Sequence, residues 1–205
     1  TGSLIESPSG YLHLTAQENL QIIADLKDVK HTEIAHVLDV VHLTQDKDKK
    51  VGQYSLGMKQ RLGIAMALLG NPEILILDEP TNGLYIPSKS QFRKVIASGM
   101  TEEKSVVVST HQVRDIDRLL DQVVVIDGNE VLLNRSVVDI TDKLLFAEQG
   151  MNEPTDDVLF VQPSVHGNSV IWPNLAGEES PLNLELLFNA LLTEREKIQA
   201  IFNEK

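Results

Sequence analysis

From Thr15 onward the apolar positions fall three and four residues apart. Leu20, Ile23 and Ala24 form one such set, and Ile34, Val37, Leu38 and Val41 a second. That spacing predicts two amphipathic helices. Thr15 followed by Glu18 is a capping box at the start of the first. The second is expected over Thr32 to Val41, broken by the polar run Thr44 to Gln53 (TQDKDKKVGQ), which reads as a solvated loop. Ser55 is an N-cap residue for a longer helix reaching about Leu69, ended by Gly70-Asn71-Pro72. Ahead of all this, residues 1–14 are rich in Gly, Ser and Pro and read as a loop.

After Pro72 the pattern changes. Ile74-Leu75-Ile76-Leu77 is a short continuous apolar run, the mark of a strand buried on both faces in a parallel sheet. A helix is expected around Ser90–Gly99, a strand at Ser105–Ser109, a helix near Val113–Leu120 and a strand at Val123–Ile126. Strands alternating with helices predict a doubly wound α/β sheet. Asp127-Gly128-Asn129 is a hairpin-type turn leading into Val131–Leu133. Beyond about residue 146 prolines punctuate the chain. Val158–Val161 and Ser169–Trp172 suggest a small hairpin around Gly167-Asn168. Leu184, Leu187, Leu191, Ile198, Ile201 and Phe202 have helical spacing.

Charge narrows the range of functions. The 205 residues carry a net charge of −12, from 30 acidic and 18 basic side chains. Nucleic-acid binding needs a basic face, so that role is not expected. Direct attachment to an anionic membrane surface is disfavoured for the same reason. No apolar run approaches the roughly 20 residues that span a bilayer, and no signal peptide opens the sequence, so the expectation is a soluble protein that meets a membrane only through a partner. The absence of cysteine excludes disulfides, thiolate metal sites and cysteine nucleophiles.

Two segments carry candidate chemistry. The first is Tyr54-Ser-Leu-Gly-Met-Lys-Gln-Arg61, at the start of the third helix. A helix N-terminus offers free N–H groups and the positive end of the dipole to a phosphate, and Gly57 lets the backbone come close. Ser55 serves there as a cap in any case. The second is Ile74-Leu-Ile-Leu-Asp-Glu-Pro-Thr-Asn-Gly-Leu84, in which the apolar strand ends in two acids. Open α/β sheets bind ligands at the carboxyl ends of their strands. A carboxylate at Asp78 can hold Mg²⁺, usually through water, and Glu79 can orient or deprotonate an attacking water.

Both segments in this order, with Thr110-His111 further along, resemble the ABC ATPase family, the nucleotide-binding subunits of ABC transporters. The first looks like the signature motif and the second like the Walker B strand with the catalytic glutamate attached. The stretch SLIESP-x-x-Y-x-HLT-x-x-EN resembles the branch that exports bacitracin-like and lantibiotic peptides. The resemblance covers about residues 1–145. It implies part of a P-loop NTPase (RecA-like) core. The segments would be a loop at 1–14, an ABC helical subdomain at 15–70, a core half at 71–145 and an acidic C-terminal extension at 146–205.

For individual residues the resemblance implies that Glu79 is the catalytic base and His111 the switch histidine that contacts it and the γ-phosphate. Asp78 would hold Mg²⁺. Ser55 and Gly57 would contact ATP held by a second nucleotide-binding subunit. Glu6 stands where the family more often has glutamine, in the loop that senses Mg²⁺ and touches the membrane permease. Together these imply a cytoplasmic ATPase on the inner face of a bacterial cell membrane, hydrolysing Mg-ATP in a closed dimer to drive export through that permease.

Departures from the family pattern keep rival readings open. No G-x-x-x-x-G-K-[ST] phosphate loop occurs in the 205 residues. The chain is therefore expected to be truncated, to bind ATP poorly and to be inactive on its own. Leu56 and Met58 replace glycine and glutamine of the signature motif, and Tyr85 stands where an aspartate is usual. One rival is an ABC ATPase that works without a membrane. Another is a half that lends Ser55 to a partner's site and hydrolyses nothing itself.

Overall fold

A computed structural model describes residues 1–205 apart from 6–9, 83, 85, 100–103, 114–115, 117–118, 152, 154–156, 166 and 204–205. The chain divides into two compact units, Thr1–Asp115 and Ile116–Lys205. No helix among the described residues is long and apolar enough to cross a membrane.

The first unit runs β1 (Gly2–Leu4), α1 (Ala16–Lys27), α2 (Glu33–Val40), α3 (Leu56–Leu68), β2 (Ile74–Asp78), α4 (Ile86–Gly99) and β3 (Ser105–Ser109). Its three strands form one parallel sheet in the order β1-β2-β3, with Ile76 lying between Ser3 and Val107. Parallel neighbours need crossover connections. Helices α1–α3 supply the first and α4 the second.

Strand β1 corrects the reading of residues 1–14 as a loop. Three residues are too few to show a period of two, and the pairing comes from a segment some seventy positions away (Gly2 opposite Leu75). Gly2 is needed where it stands, because a Cβ there would lie 2.1 Å from the Ala67 carbonyl oxygen of α3.

The helices begin where the caps predict. Thr15 Oγ1 accepts from the Glu18 N–H at 3.1 Å, while the Thr15 N–H donates to Glu18 Oε2 at 2.7 Å. Their C-terminal ends are tied by long basic side chains from other helices. Lys27, at the end of α1, donates to the carbonyls of Met66 in α3 and of Leu69 just past it, at 2.8 and 3.1 Å. Arg61 of α3 donates to the Val41 and His42 carbonyls just past α2, at 3.2 and 3.0 Å. Each bond satisfies a carbonyl that a helix end leaves without a partner.

Buried Asn19 secures the segment leading into α1. Its Oδ1 accepts from the Tyr11 N–H at 2.7 Å, and its Nδ2 donates to the Tyr11 and Thr15 carbonyls at 3.1 and 2.8 Å.

Strand β2 departs from expectation in one respect. Leu75 and Leu77 are buried, but Ile74 and Ile76 stay 44% and 39% exposed. Val107 beside them on β3 is exposed too. The continuous apolar run predicted burial on both faces; the strand instead alternates.

The second unit opens with the hairpin β4 (Gln122–Asp127) and β5 (Glu130–Ser136). Its turn is Gly128-Asn129, with φ of 53° and 68°. Two positive φ angles in a two-residue loop match the right-handed twist of the strands. The run at 123–126 is therefore an antiparallel strand rather than part of the parallel sheet. Half of the helix expected near Val113–Leu120 (114, 115, 117 and 118) falls on residues outside those described.

Next come α5 (Val137–Lys143), β6 (Leu144–Gln149), β7 (Phe160–Ser164), β8 (Gly167–Pro173), α6 (Leu184–Thr193) and α7 (Arg195–Asn203). Strands β7 and β8 form the expected hairpin. Gly167 and Asn168 belong to β8, however, paired with Ser164 and Pro163, so they lie in the strand and not in the turn. Strand β6 adds to the other edge of β8, giving an antiparallel sheet of order β6-β8-β7.

The C-terminal helical segment is two helices divided at Glu194, and α7 closes on its own unit. Gln199 donates to the Leu132 carbonyl at 2.8 Å, Lys143 donates to the Ile201 carbonyl at 3.2 Å, and Arg195 pairs with Glu130 at 2.7 Å. Arg135 and Lys143 both lie 5.6 Å from the centroid of the Phe202 ring.

Candidate functional site

Strand β2 ends at Asp78, and the chain turns sharply at Glu79. Glu79 has a φ of 44°, in the left-handed region that glycine favours. Its N–H donates to the Ser109 carbonyl at 2.8 Å, so the turn is anchored on β3. The Glu79 side chain then lies along the segment leaving β3. Oε1 accepts from the His111 backbone N–H at 2.9 Å and lies 2.6 Å from His111 Nδ1. Oε2 accepts from the Thr110 hydroxyl at 3.1 Å. Because an ionised carboxylate only accepts, neutral His111 carries its proton on Nδ1 in this contact, leaving Nε2 as an acceptor. His111 itself is mostly exposed.

Beside this pair, the Ser109 hydroxyl donates to Asp78 Oδ1. The parallel register explains both contacts, since Asp78 is opposite Ser109 and the next residues of each chain follow. The result is two adjacent carboxylates at a strand end, one held by the last hydroxyl of β3 and the other by the hydroxyl just past it, with an exposed imidazole against the second. Such a cluster can take a proton from a water molecule. Among the described residues no group of three or more His, Asp or Glu side chains is placed to hold a metal ion, so a cation here would need water or ligand oxygens besides Asp78.

Ser55 and Gly57 occupy a second place, the N-terminus of α3. Ser55 caps the helix, its Oγ accepting from the Met58 N–H at 3.3 Å. The amides of Leu56 and Gly57 precede the first intrahelical bond, as the opening N–H groups of any helix do. Among the described residues no hydrogen bond or ion pair joins Ser55 or Gly57 to Asp78, Glu79 or His111. Glu6 and Tyr85, singled out from the sequence, lie outside the described residues.

Buried Tyr54 braces the turn before Ser55 by donating to the Asp46 carbonyl at 2.7 Å. Burial pushes its phenol up to about 12, helped by the nearby charge of Asp46. The folded-state value thus exceeds the ordinary value near 10. A raised value means that the neutral phenol stabilises the fold fully below about pH 10 and that this contribution is lost as pH rises through about 12. Tyr54→Phe is expected to cost about 1 kcal/mol at neutral pH. It should also remove the part of the alkaline loss of stability that Tyr54 causes. Denaturant titrations of both proteins at pH 8 and at about pH 11 check this; parallel losses would assign the alkaline transition to other groups.

Sequence reasoning missed Ser109 and gave Thr110, quoted only as the neighbour of His111, no part in holding the carboxylates. The available signal was small polar residues at the end of a strand that neighbours an acidic strand end.

Comparison with known proteins bears on the first unit most directly. Residues 2–82, which include Ser55, Gly57, Asp78 and Glu79, match the ABC transporter family model. The chain is 45% identical over 133 residues to the bacitracin transport ATP-binding protein of Bacillus licheniformis, covering 64% of this chain and 44% of that one. Residues 2–82 belong to the ABC transporter family.

Other relatives of this ABC segment agree. A lantibiotic transport ATP-binding protein of Streptococcus pyogenes is 37% identical over 134 residues, covering 65% of this chain and 58% of that one. An uncharacterised ABC transporter ATP-binding protein of Bacillus subtilis is 33% identical over 193 residues, covering 91% of this chain and 63% of that one. The chain thus spans about half the length of the first two relatives. A solved structure described as an ATP-binding subunit of an ABC transporter shares the fold, with a TM-score of 0.60 at 24% identity, over 68% of this chain and 60% of that one. The α/β NTPase fold class expected from the sequence is the one found.

Proposed function

We propose that this chain is part of the ATP-binding and ATP-hydrolysing subunit of an ABC exporter, working as a dimer with a membrane permease on the cytoplasmic face. The cargo we infer is an antimicrobial peptide of the bacitracin or lantibiotic kind. The observation that carries the reading is the Glu79 carboxylate, held by Thr110 and His111 at the end of β2 and next to Asp78. The relatives' roles in bacitracin and lantibiotic transport support the cargo class.

In this reading Glu79 accepts a proton from the water that attacks the γ-phosphate. His111 holds the carboxylate through Nδ1 and presents Nε2 outward. Asp78 would hold Mg²⁺: one of its oxygens is taken by Ser109, and the ion needs only one or two carboxylates besides water and phosphate oxygens. When bound, that ion neutralises charge on the β- and γ-phosphates. The free N–H groups at the start of α3, with Ser55 and Gly57, would face the nucleotide of the second subunit. Glu6 would sense the ion and the permease from its loop. The division of labour we infer is an opening segment at 1–14 that contains β1, a helical subdomain at 15–70, core at 71–145 and an extension at 146–205.

The test is Mg-ATP turnover by the full-length protein, together with co-purification from detergent extracts. Turnover, and retention on an affinity-tagged polytopic membrane protein, is the expected result. Turnover without any membrane partner would favour the ABC ATPase that works off the membrane. Tyr85, in place of the usual aspartate, favours the remaining reading, a half that completes a partner's site. ATP binding with no turnover, even beside the permease, would decide for it.

A further inference from the structure

We propose that Thr110 is a positioning residue for Glu79, its hydroxyl fixing the plane of the carboxylate; the inference rests on the function proposed above. The terminal torsion of a glutamate side chain is broad and roughly two-fold, so contacts on one oxygen leave the carboxylate plane loosely set. Both His111 contacts fall on Oε1. Thr110 supplies the donor on Oε2, at 3.1 Å. With donors on both oxygens, the carboxylate cannot turn without breaking a hydrogen bond.

The hydroxyl is itself aimed. Thr110 Oγ1 accepts from the Gln112 N–H at 2.9 Å, two residues on, in the local side-chain-to-backbone pattern that threonine favours. That bond occupies a lone pair and leaves the single proton of the hydroxyl for Glu79, which, as a carboxylate, can only accept. The placement follows from register. Ser109 is opposite Asp78 and donates to it; Thr110, one residue on, meets Glu79 in the same way. The backbone of Glu79, with its φ of 44° and its N–H on the Ser109 carbonyl, is set by the same strand end. Strand β3 therefore governs both the backbone and the side chain of the base.

A base turned from its working orientation loses rate without losing substrate, because geometry in the reacting complex matters more than binding. Thr110→Val keeps the shape of the side chain and removes the donor. In the full-length protein it is expected to lower kcat for Mg-ATP by about ten- to a hundred-fold, with KM changed by no more than about two-fold. Thr110→Ala removes the donor without adding a methyl and should behave alike, covering the case in which valine fails to fold. Thr110→Ser keeps the hydroxyl and should recover most of the rate.

The experiment is steady-state turnover by these three variants beside the wild type and Glu79→Gln. Unchanged kcat in both hydroxyl-free variants, with turnover lost in Glu79→Gln, overturns the role of Thr110 and leaves the assignment of the base standing. A serine variant as slow as valine, or a KM that rises in step with the fall in kcat, also overturns it, since either would mark a merely structural residue. Turnover retained in Glu79→Gln removes the base itself, and the inference falls with it.

Discussion

Glu79→Gln is expected to lower Mg-ATP turnover by the full-length protein by about 10²–10⁴-fold, the contribution of a positioned general base. ATP binding should persist. The substitution is close to isosteric, and the amide oxygen can still accept from the His111 N–H that now meets Oε1 at 2.9 Å. What changes is proton affinity: a neutral amide cannot take the proton of an attacking water. The Thr110 hydroxyl, facing an NH₂ group instead of Oε2, loses its acceptor, a small cost beside the loss of the base.

The measurement is turnover at saturating Mg-ATP, paired with equilibrium ATP binding by the same preparation. Loss of turnover with binding kept within a few-fold assigns the base, in the sense that only an interaction made in the transition state has been removed. A variant that keeps more than about a tenth of the wild-type rate would exclude Glu79, because so small a loss lies below what a general base supplies. The proton would then have to go elsewhere, with His111, the nearest titratable group, as the next candidate.

What the sequence made legible was mostly local. The Thr15–Glu18 capping box and the Ser55 cap are signals within four residues, and both helices begin where those signals stand. The Gly128-Asn129 turn is equally short-range. Strands β2 and β3 could be placed because their apolar runs are bounded by breakers. Elements whose evidence lies far away in the chain were not legible. Strand β1 exists because Gly2–Leu4 finds β2, and β6 because Leu144–Gln149 finds β8. Neither segment has a strong pattern of its own.

The same division runs through the candidate site. Asp78, Glu79 and His111 were named through resemblance and spacing, and the structure sets them together. Thr110 and Ser109 could not be given their roles, because these depend on which residue of β3 sits opposite Asp78. A shift of one residue would have moved both hydroxyls off the carboxylates.

Strand β2 also offers the sharpest test of the first unit's core. Leu77 is 0% exposed and stands in register between Leu4 and Val108, one residue before Asp78. Leu77→Ala should cost about 2–5 kcal/mol, the transfer of the lost side chain plus the cavity it leaves. The neighbouring Ile76→Ala should cost only about 1 kcal/mol, since Ile76 is still 39% exposed and buries less apolar area. Far-UV circular dichroism under denaturant is the suitable readout, because the chain's one tryptophan, Trp172, lies in the second unit.

The contrast between the two variants carries the argument. Two adjacent aliphatic side chains of similar size differ in expected cost because alternate residues of a strand face opposite sides of its sheet. Equal losses in this 205-residue chain would contradict the alternation of β2. Repeating the pair in the full-length protein asks a different question. If Ile76→Ala there costs as much as Leu77→Ala, the second face of the sheet is covered in the whole subunit, and the continuous Ile-Leu-Ile-Leu run is explained as a strand buried on both sides. If the costs stay unequal, β2 remains half-exposed, and the apolar run needs another cause.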